Sequence, residues 1–345
     1  MKVSIVIVTY DSMRYLPDFL DSVFNQTYYL GSQTPPDIFI VDNASSDKTT
    51  KYIKDNFPTV HMLKNVNNIG LCRAWNQGIK MTSGEYILIM NPDLVLHKDY
   101  IKESVRSLDS DQTMASVGGK LYQLKINALD MEEGLATLEK TNILDTTGIV
   151  CFKNRRFIER GAGETDHGQY NTAEPVFGIS GACVMYRRSA LEKVKFAEEY
   201  FDEDFFMYKE DIDLAWRLRL NGWINYYNPE AIAYHHRRAK SLGKVKSYSI
   251  IKHRRQKEDF VNYHSYKNHF LMLKKNTIKK NLFKRFPHIF FYELKKLIYL
   301  LIFENTTLRK TISDMFRLRK TIKKKRQFNS NIRRVKAEEI EQWFI

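Results

Sequence analysis

An α/β fold, with a mainly parallel, doubly wound sheet followed by a basic helical region, is predicted by three features of this 345-residue chain. Short apolar runs rich in β-branched residues alternate with segments of helical spacing over residues 3–90. Each run stops on polar residues, as strands do when their carboxyl ends line a ligand crevice. Charge is divided along the chain. Residues 1–236 carry 25 Lys and Arg against 32 Asp and Glu, a net −7, while 237–334 carry 29 against 5, a net +24.

The first strand is predicted at Val3–Thr9 and ends at Tyr10-Asp11-Ser12. Residues 13–26 then place Leu16, Phe19, Leu20, Val23 and Phe24 at helical intervals. A second strand over 38–41 runs into Asp42-Asn43-Ala-Ser-Ser-Asp47, a loop that caps a helix over about 47–56. A strand near 60–63, the turn Asn65-Val-Asn67-Asn68-Ile-Gly70, a helix through Ala74 and Ile79, and a strand over 86–90 complete this half. The last strand stops at Asn91-Pro92-Asp93. Residues 122–175 show only irregular strand and loop patterns, consistent with one wall of a cleft. From Val176 a small-residue segment, Ser180-Gly181-Ala182, feeds a buried strand to Tyr186. An acidic and aromatic stretch, Phe201 to Arg217, contains a helix starting at Glu210, and a strand over 231–234 ends at His235-His236.

At ~150 residues per domain the length allows two units. They are drawn as 1–240, divided into halves 1–95 and 96–240, and a basic region 241–345. Three widely spaced cysteines, Cys72, Cys151 and Cys183, make neither a disulfide framework nor a cysteine zinc site and fit a reducing cytosol. Met1-Lys2 leads straight into strand pattern rather than a signal peptide, and the longest late apolar run, Leu297–Phe303, falls far short of the ~20 residues a spanning helix needs. The expectation is a protein that is soluble or lies on a membrane. No GxGxxG or GxxxxGK[ST] follows the first strand, which excludes the usual dinucleotide site and the P-loop.

Three clusters have the composition of a reaction centre. Asp93 sits on a tight loop past a buried strand, where a carboxylate can bridge Mg²⁺ or Mn²⁺ to a diphosphate; the competing reading is a turn with Asp93 as a cap. Glu210 and Asp211 open a helix among Phe201, Phe205, Phe206 and Tyr208. Carboxyl groups there should have raised pKa values, as a general base requires, although acids also favour a helix N-terminus for its dipole alone. His235 ends a strand, which suits a metal ligand as well as a structural histidine.

Taken in order, the strand ending in TYD, then VDNASSD, N-x-N-x-G, NPD, SGA, FDEDFFMYKEDIDLAWRLRLNGW and YHH resemble the family 2 glycosyltransferases of the GT-A fold, in particular the bacterial rhamnosyltransferase-like branch. The resemblance spans roughly residues 1–240. It implies that Thr9, Tyr10, Asp11, Asp42 and Asn43 hold the base and ribose of a nucleotide-sugar, with Asn67, Gly70 and Arg73 bordering its diphosphate. It makes Asp93 the metal-binding aspartate of the DxD signature, with Asn91 in place of the first aspartate and His235 as a further ligand of Mg²⁺ or Mn²⁺. Gly181 and Ala182 would let backbone approach the sugar. Asp211 would act as general base and Glu210 would orient the base or the acceptor. With one base and no enzymic nucleophile, the implied reaction is a single inverting displacement. The implied donor is a dTDP- or UDP-sugar, best matched by dTDP-L-rhamnose, with galactofuranosyl, N-acetylglucosaminyl or another hexosyl transfer as alternatives. A glycan or lipid-linked acceptor in bacterial cell-surface polysaccharide synthesis follows.

The basic region admits two readings. Phe290, Leu294, Leu297 and Leu301 recur at helical spacing between Lys-rich flanks, the pattern of a helix lying on the cytoplasmic face of an anionic membrane. The same pattern suits a bundle packed on the catalytic body with a solvated basic face. A nucleic-acid-binding protein is the rival class; the acidic first two-thirds and the lack of helix-turn-helix, zinc or RNP patterns argue against it.

Overall fold

The computed structural model describes residues 2–31, 35–126, 138–236 and 258–345. The β-branched run at the N-terminus becomes strand β1 (Val3–Thr9), which lies between two parallel neighbours, β2 (Asp37–Asp42) and β4 (Tyr86–Met90); β3 (His61–Lys64) extends the parallel set beyond β2. Between them run helices α1 (Leu16–Phe24), α2 (Thr49–Asn56) and α3 (Leu71–Lys80). Side chains alternate across β1. Val6 and Val8 join Trp75 and Ile79 of α3 in one core, whereas Ile5 and Ile7 join Phe19 and Leu20 of α1 in the other. A sheet covered on both faces explains why these strands read as unbroken apolar runs.

The second half of the sheet is mixed. The remaining strands are β5 (Leu94–Leu96), β6 (Met114–Ile126), β7 (Leu138–Thr146), β8 (Ile149–Cys151), β9 (Phe157–Glu159), β10 (Glu174–Val176), β11 (Cys183–Arg187) and β12 (Ile224–His235). The path β10-β12-β6-β11-β4-β1-β2-β3 forms one sheet, with β5 on β12 and β7 on β6; β11 runs antiparallel to both β4 and β6. Helix α4 (Tyr100–Ser110) adds to the face that carries α1, while α5 (Arg188–Val194) and α6 (Glu210–Leu220) cover the face that carries α3. Among its described residues the segment 122–175 supplies the end of β6, the nine-residue β7 and the three-residue strands β8, β9 and β10, joined by turns, with polar groups such as Asp145 buried and paired.

The basic region is helical, as expected: α7 (Asp259–Asn276), α8 (Lys279–Lys284), α9 (Phe286–Phe303), α10 (Asn305–Arg317), α11 (Arg319–Ile332) and α12 (Ala337–Glu341). The boundary drawn at 240 lies outside the described residues. Much of this region is fused to the body. Phe344 is buried against Phe177 and Trp216, with ring centroids 5.8 and 5.3 Å away, and burial of such a ring contributes about 1.5–3 kcal/mol. Arg155 stacks on Phe344 and pairs with Glu341 at 3.0 Å. Lys325 reaches Asp202 at 2.6 Å and Glu199 at 2.8 Å, and Lys275 pairs with Asp202 and, at 3.0 Å, with Asp213. Those lysines are buried, and their charge is tolerable there only because carboxylates surround them. The bundle reading thus holds for α7, α11 and α12. Helix α9 differs: Ile289 and Leu300 are its buried residues, and of the predicted stripe Phe290, Leu297 and Leu301 are exposed while Leu294 is half-buried, with Ile298 and Ile302 exposed alongside. Among the described residues no helix is long and apolar enough to cross a membrane.

Candidate active site

The polar strand ends expected to form a crevice do meet at the carboxyl edge of the parallel strands. Thr9 and Asp42 are in register on β1 and β2, and the Thr9 hydroxyl donates to Asp42 Oδ1 at 2.9 Å. Ser45 donates to both oxygens of Asp42, through its hydroxyl at 2.5 Å and its amide at 3.0 Å. Thr9 and Asp42 are fully buried at the base of the loops that follow β1 and β2. Asp11, with φ 46°, accepts from the Ser46 amide at 2.8 Å and ties the first two strand ends together. Asn43 organises the N-x-N-x-G turn by donating to Asn68 at 2.9 Å and accepting from the Ile69 amide at 3.1 Å. Gly70 has φ 89° and precedes α3, a backbone conformation that favours glycine. Tyr10 and Asn67 stand exposed at the rim, and Arg73 is exposed and paired with Glu203 at 3.1 Å.

From β4 the crevice continues through Asn91, whose amide donates to the Ala182 carbonyl at 2.9 Å. That bond places the SGA turn beside the NPD loop. The next residue back, Gly181, donates its amide to Asp211 Oδ2 at 2.9 Å, and a Cβ on Gly181 would lie 3.2 Å from the Asp211 Cβ. The glycine therefore gives room to Asp211 itself. Asp211 is partly exposed in the first turn of α6, whereas Glu210 beside it is buried and its Oε2 has no hydrogen-bond partner. Burial, reinforced by the charge of Asp211, raises the Glu210 pKa to about 8. The two adjacent carboxyl groups differ in surroundings: burial favours the protonated form of Glu210, whereas Asp211 is partly exposed.

Asp93 and His235 are also brought together. Strand β5 pairs antiparallel with β12 so that Leu94 lies opposite His235, and the His235 Nε2 comes 3.3 Å from Asp93 Oδ1. Its Nδ1 is 2.8 Å from Asp145 Oδ2 on β7. Burial alone would lower the His235 pKa, but the charge of Asp93 and the hydrogen bond to Asp145 outweigh it and raise the value to about 10. His236 turns away, as alternation on a strand requires, with its ring 5.1 Å from Tyr15 and its amide donating to the Asp93 carbonyl at 2.8 Å.

A divalent cation fits this pair. Asp93 Oδ1 has the His235 Nε2 at 3.3 Å as its neighbour, and a cation between them would replace the ring proton that the two carboxylates now favour; the Asp145 carboxylate on the other ring nitrogen is the arrangement that orients metal-bound histidines. Among the described residues no group of three or more His, Cys, Asp or Glu could hold a metal. Any cation here would therefore complete its shell with oxygens of a bound diphosphate and water, as Mg²⁺ and Mn²⁺ do.

The model of glycosyl transferase family 2 matches residues 4–195, more than half of the chain, including the parallel set β1 to β4. The chain belongs to glycosyl transferase family 2. An N-acetylglucosaminyl-diphospho-decaprenol L-rhamnosyltransferase of Mycobacterium tuberculosis is 26% identical over 271 residues, covering 74% of this chain and 83% of the relative. A poly-beta-1,6-N-acetyl-D-glucosamine synthase of Staphylococcus epidermidis is 27% identical over 236 residues, covering 67% of this chain, which spans about half of that synthase (49%). Among solved structures, GalNAc-T7 with UDP, GalNAc and Mn²⁺ aligns with a TM-score of 0.55 at 13% identity, over 80% of this chain and 48% of that one. The mannosyltransferase of Pyrobaculum calidifontis in complex with GDP-Man and Mn²⁺ aligns with a TM-score of 0.50 at 13% identity, over 96% of this chain and 84% of that one. These likenesses carry the GT-A fold.

Within this family 2 chain the sequence motifs named residues that the fold brings together, Asp93 with His235 and Gly181 with Asp211, but did not point to Asp145. It lies in the stretch that showed no clear strand pattern, and no motif marks a lone carboxylate that becomes a histidine's partner only through the β6–β7 hairpin. Also missed was Asn268 of α7, which contacts the loop leading into Asp211.

Proposed function

We propose that this glycosyltransferase is an inverting, metal-dependent enzyme that moves a sugar, L-rhamnose from dTDP-L-rhamnose in the first instance, to a hydroxyl of a glycan or lipid-linked acceptor in bacterial cell-surface polysaccharide synthesis. The observation that carries the reading is the connected set at the carboxyl edge of the sheet: Asp93 facing His235, Asn91 bonded to Ala182, and Gly181 bonded to Asp211.

The reaction needs a proton acceptor for the attacking hydroxyl and charge neutralisation for the departing nucleoside diphosphate. Asp211, fixed by the Gly181 and Ile212 amides, takes the hydroxyl proton as the acceptor oxygen bonds to the anomeric carbon. The bond from that carbon to the diphosphate oxygen breaks on the opposite side, which inverts the centre. Asp93 and His235 would hold Mg²⁺ or Mn²⁺, which supplies neutralisation of the diphosphate charge. Burial favours the protonated form of Glu210, the member of the pair turned away from solvent. The donor is supported by the rhamnosyltransferase relative; the synthase relative makes UDP-N-acetylglucosamine the second candidate.

The place of work in this reading is the cytoplasmic face of the cell membrane, where the protein is peripheral. Support comes from α9 and its neighbours, where Phe283 is 78% exposed, Ile302 66% and Phe316 69%, set among Lys279, Lys280, Lys284, Lys295, Arg309 and Lys310. Exposed bulky apolar residues within a basic surface match an anionic bilayer interface.

A thermal-shift screen with Mn²⁺ against dTDP-rhamnose, UDP-N-acetylglucosamine, UDP-galactose, UDP-glucose and GDP-mannose tests the donor. A true donor at about 100 times its dissociation constant adds about 2.7 kcal/mol of apparent stability. A shift with a single nucleotide-sugar, followed by its turnover, supports the reading; no shift with any of them removes the donor assignment.

A further inference from the structure

The loop that leads into Asp211 has an unusual backbone. Phe206 (φ 65°), Tyr208 (φ 72°) and Lys209 (φ 67°) all have positive φ, and none is glycine. Side chains disfavour that region, so a run of this kind persists only where surrounding groups impose it. Two walls do so here. On one side the Phe206 carbonyl accepts from the Cys72 amide at 3.1 Å, and the Phe206 ring lies 2.6 Å from where a Cβ on Gly70 would be. On the other side stands α7, from the basic region. The Asn268 Nδ2 donates to the carbonyls of Phe205, Met207 and Tyr208 at 2.9, 2.7 and 2.8 Å. Lys267 adds a bond to the Asp204 carbonyl at 2.7 Å, and His264 stacks on Phe206 with centroids 5.3 Å apart.

Asn268 is poorly explained as packing. It is fully buried in mid-helix, where asparagine is a weak helix former, and its own Oδ1 has no hydrogen-bond partner. A buried amide with an unbonded oxygen is costly unless its nitrogen is needed. That nitrogen gathers three carbonyls from four consecutive residues, a geometry an apolar side chain cannot reproduce.

We infer that Asn268 is a positioning residue for glycosyl transfer: its carboxamide clamps the Phe206–Lys209 loop against the Gly70 turn and so fixes where Asp211 meets the acceptor hydroxyl. The basic C-terminal region is on this account part of the catalytic apparatus as well as a surface. The inference rests on Asp211 as the base.

The test compares full-length wild type, Asn268→Ala and Leu308→Ala. Leu308 packs with Tyr266 of α7 and Leu300 of α9 through an apolar side chain that offers the loop no hydrogen bond, and serves as the control for general loosening of the helices. Hydrogen–deuterium exchange should accelerate at residues 203–212 in Asn268→Ala, with β1 unchanged and with no such change in Leu308→Ala. With the donor and acceptor that wild type uses, kcat of Asn268→Ala should fall about a hundredfold, the scale expected when a reacting group is misplaced by an ångström. Binding of UDP or dTDP with Mn²⁺ should stay within about threefold, because the interaction is made toward the transition state. Should Asn268→Ala not fold, Asn268→Ser, which keeps one donor, takes its place. Unchanged exchange at 203–212, or a kcat loss matched by Leu308→Ala, overturns the inference. If wild type turns over no nucleotide-sugar, the transferase reading fails by itself, while the exchange result still decides the clamp.

Discussion

The amide of Gly181 donates to Asp211 Oδ2 at 2.9 Å, joining the turn before β11 to the first turn of α6. It fixes one carboxylate oxygen and leaves the group partly exposed at the crevice. Asp211→Asn keeps an oxygen for this bond and removes the basic charge. Transfer should fall by about 10²–10⁴-fold, the range a general base supplies, with nucleotide-sugar binding retained. Steady-state turnover beside calorimetric donor binding checks it; a variant that still transfers at wild-type rate excludes Asp211 as base.

Glu210 predicts a pH dependence of stability. Its pKa is 4.5 in the open chain and about 8 in the fold, raised by burial and by Asp211. Between those values the native state holds a proton that the unfolded chain has released, so stability falls as pH rises from about 4.5 through about 8 and then levels. Glu210→Gln should flatten that slope and be more stable than wild type near pH 8. Urea unfolding from pH 5 to 9 measures this, and parallel curves for the two proteins would refute it.

Asp145 holds the far ring nitrogen of His235. Asp145→Asn should weaken Mn²⁺ affinity by about 10–100-fold, the usual effect of losing a histidine's orienting carboxylate. Binding of Mn²⁺ followed by calorimetry in the presence of UDP reports it. Unaltered affinity would separate Asp145 from the cation.

The outward face of α9 gives a surface prediction. Ile298→Glu with Ile302→Glu should reduce co-sedimentation with phosphatidylglycerol vesicles by about tenfold or more, while phosphatidylcholine vesicles bind wild type poorly. Turnover of a soluble acceptor should be unaffected. Point changes are the right tool, because truncation from residue 281 would also remove Lys325 and Phe344 from the body. Equal sedimentation of variant and wild type would mean that something other than lipid covers this face.

Lys325 is buried among Glu199, Asp202 and Asp204, and the Lys275 and Lys325 cations hold the Asp202 carboxyl well below its usual range against the opposing effect of burial. Lys325→Ala leaves those carboxylates short of a partner and should cost about 3–5 kcal/mol, the scale for breaking a buried ion pair from one side. Chemical denaturation at pH 7 gives the value; a loss below 1 kcal/mol, the level of an exposed pair, would mean that the network is solvated.

The sequence by itself determined the parallel half of the sheet, because a strand buried on both faces must be apolar throughout and a crevice residue must follow it. Val3–Thr9 into Asp11, 38–41 into Asp42, and 86–90 into Asp93 are legible for that reason. It also located the Glu210-Asp211 pair at the start of a helix, since those acids are local to that turn. Tertiary structure decided what depends on pairing distant segments. Asp93 meets His235 only because β5 aligns with β12, and Asp145 meets His235 only through β7. Thr9 and Asp42 bond each other because neighbouring parallel strands end in register. The basic region shows the same division. Its charge and helical spacing are local properties, but which lysines would be buried depended on where Asp202 and Asp213 stood, and that three-dimensional placement has no period along the chain.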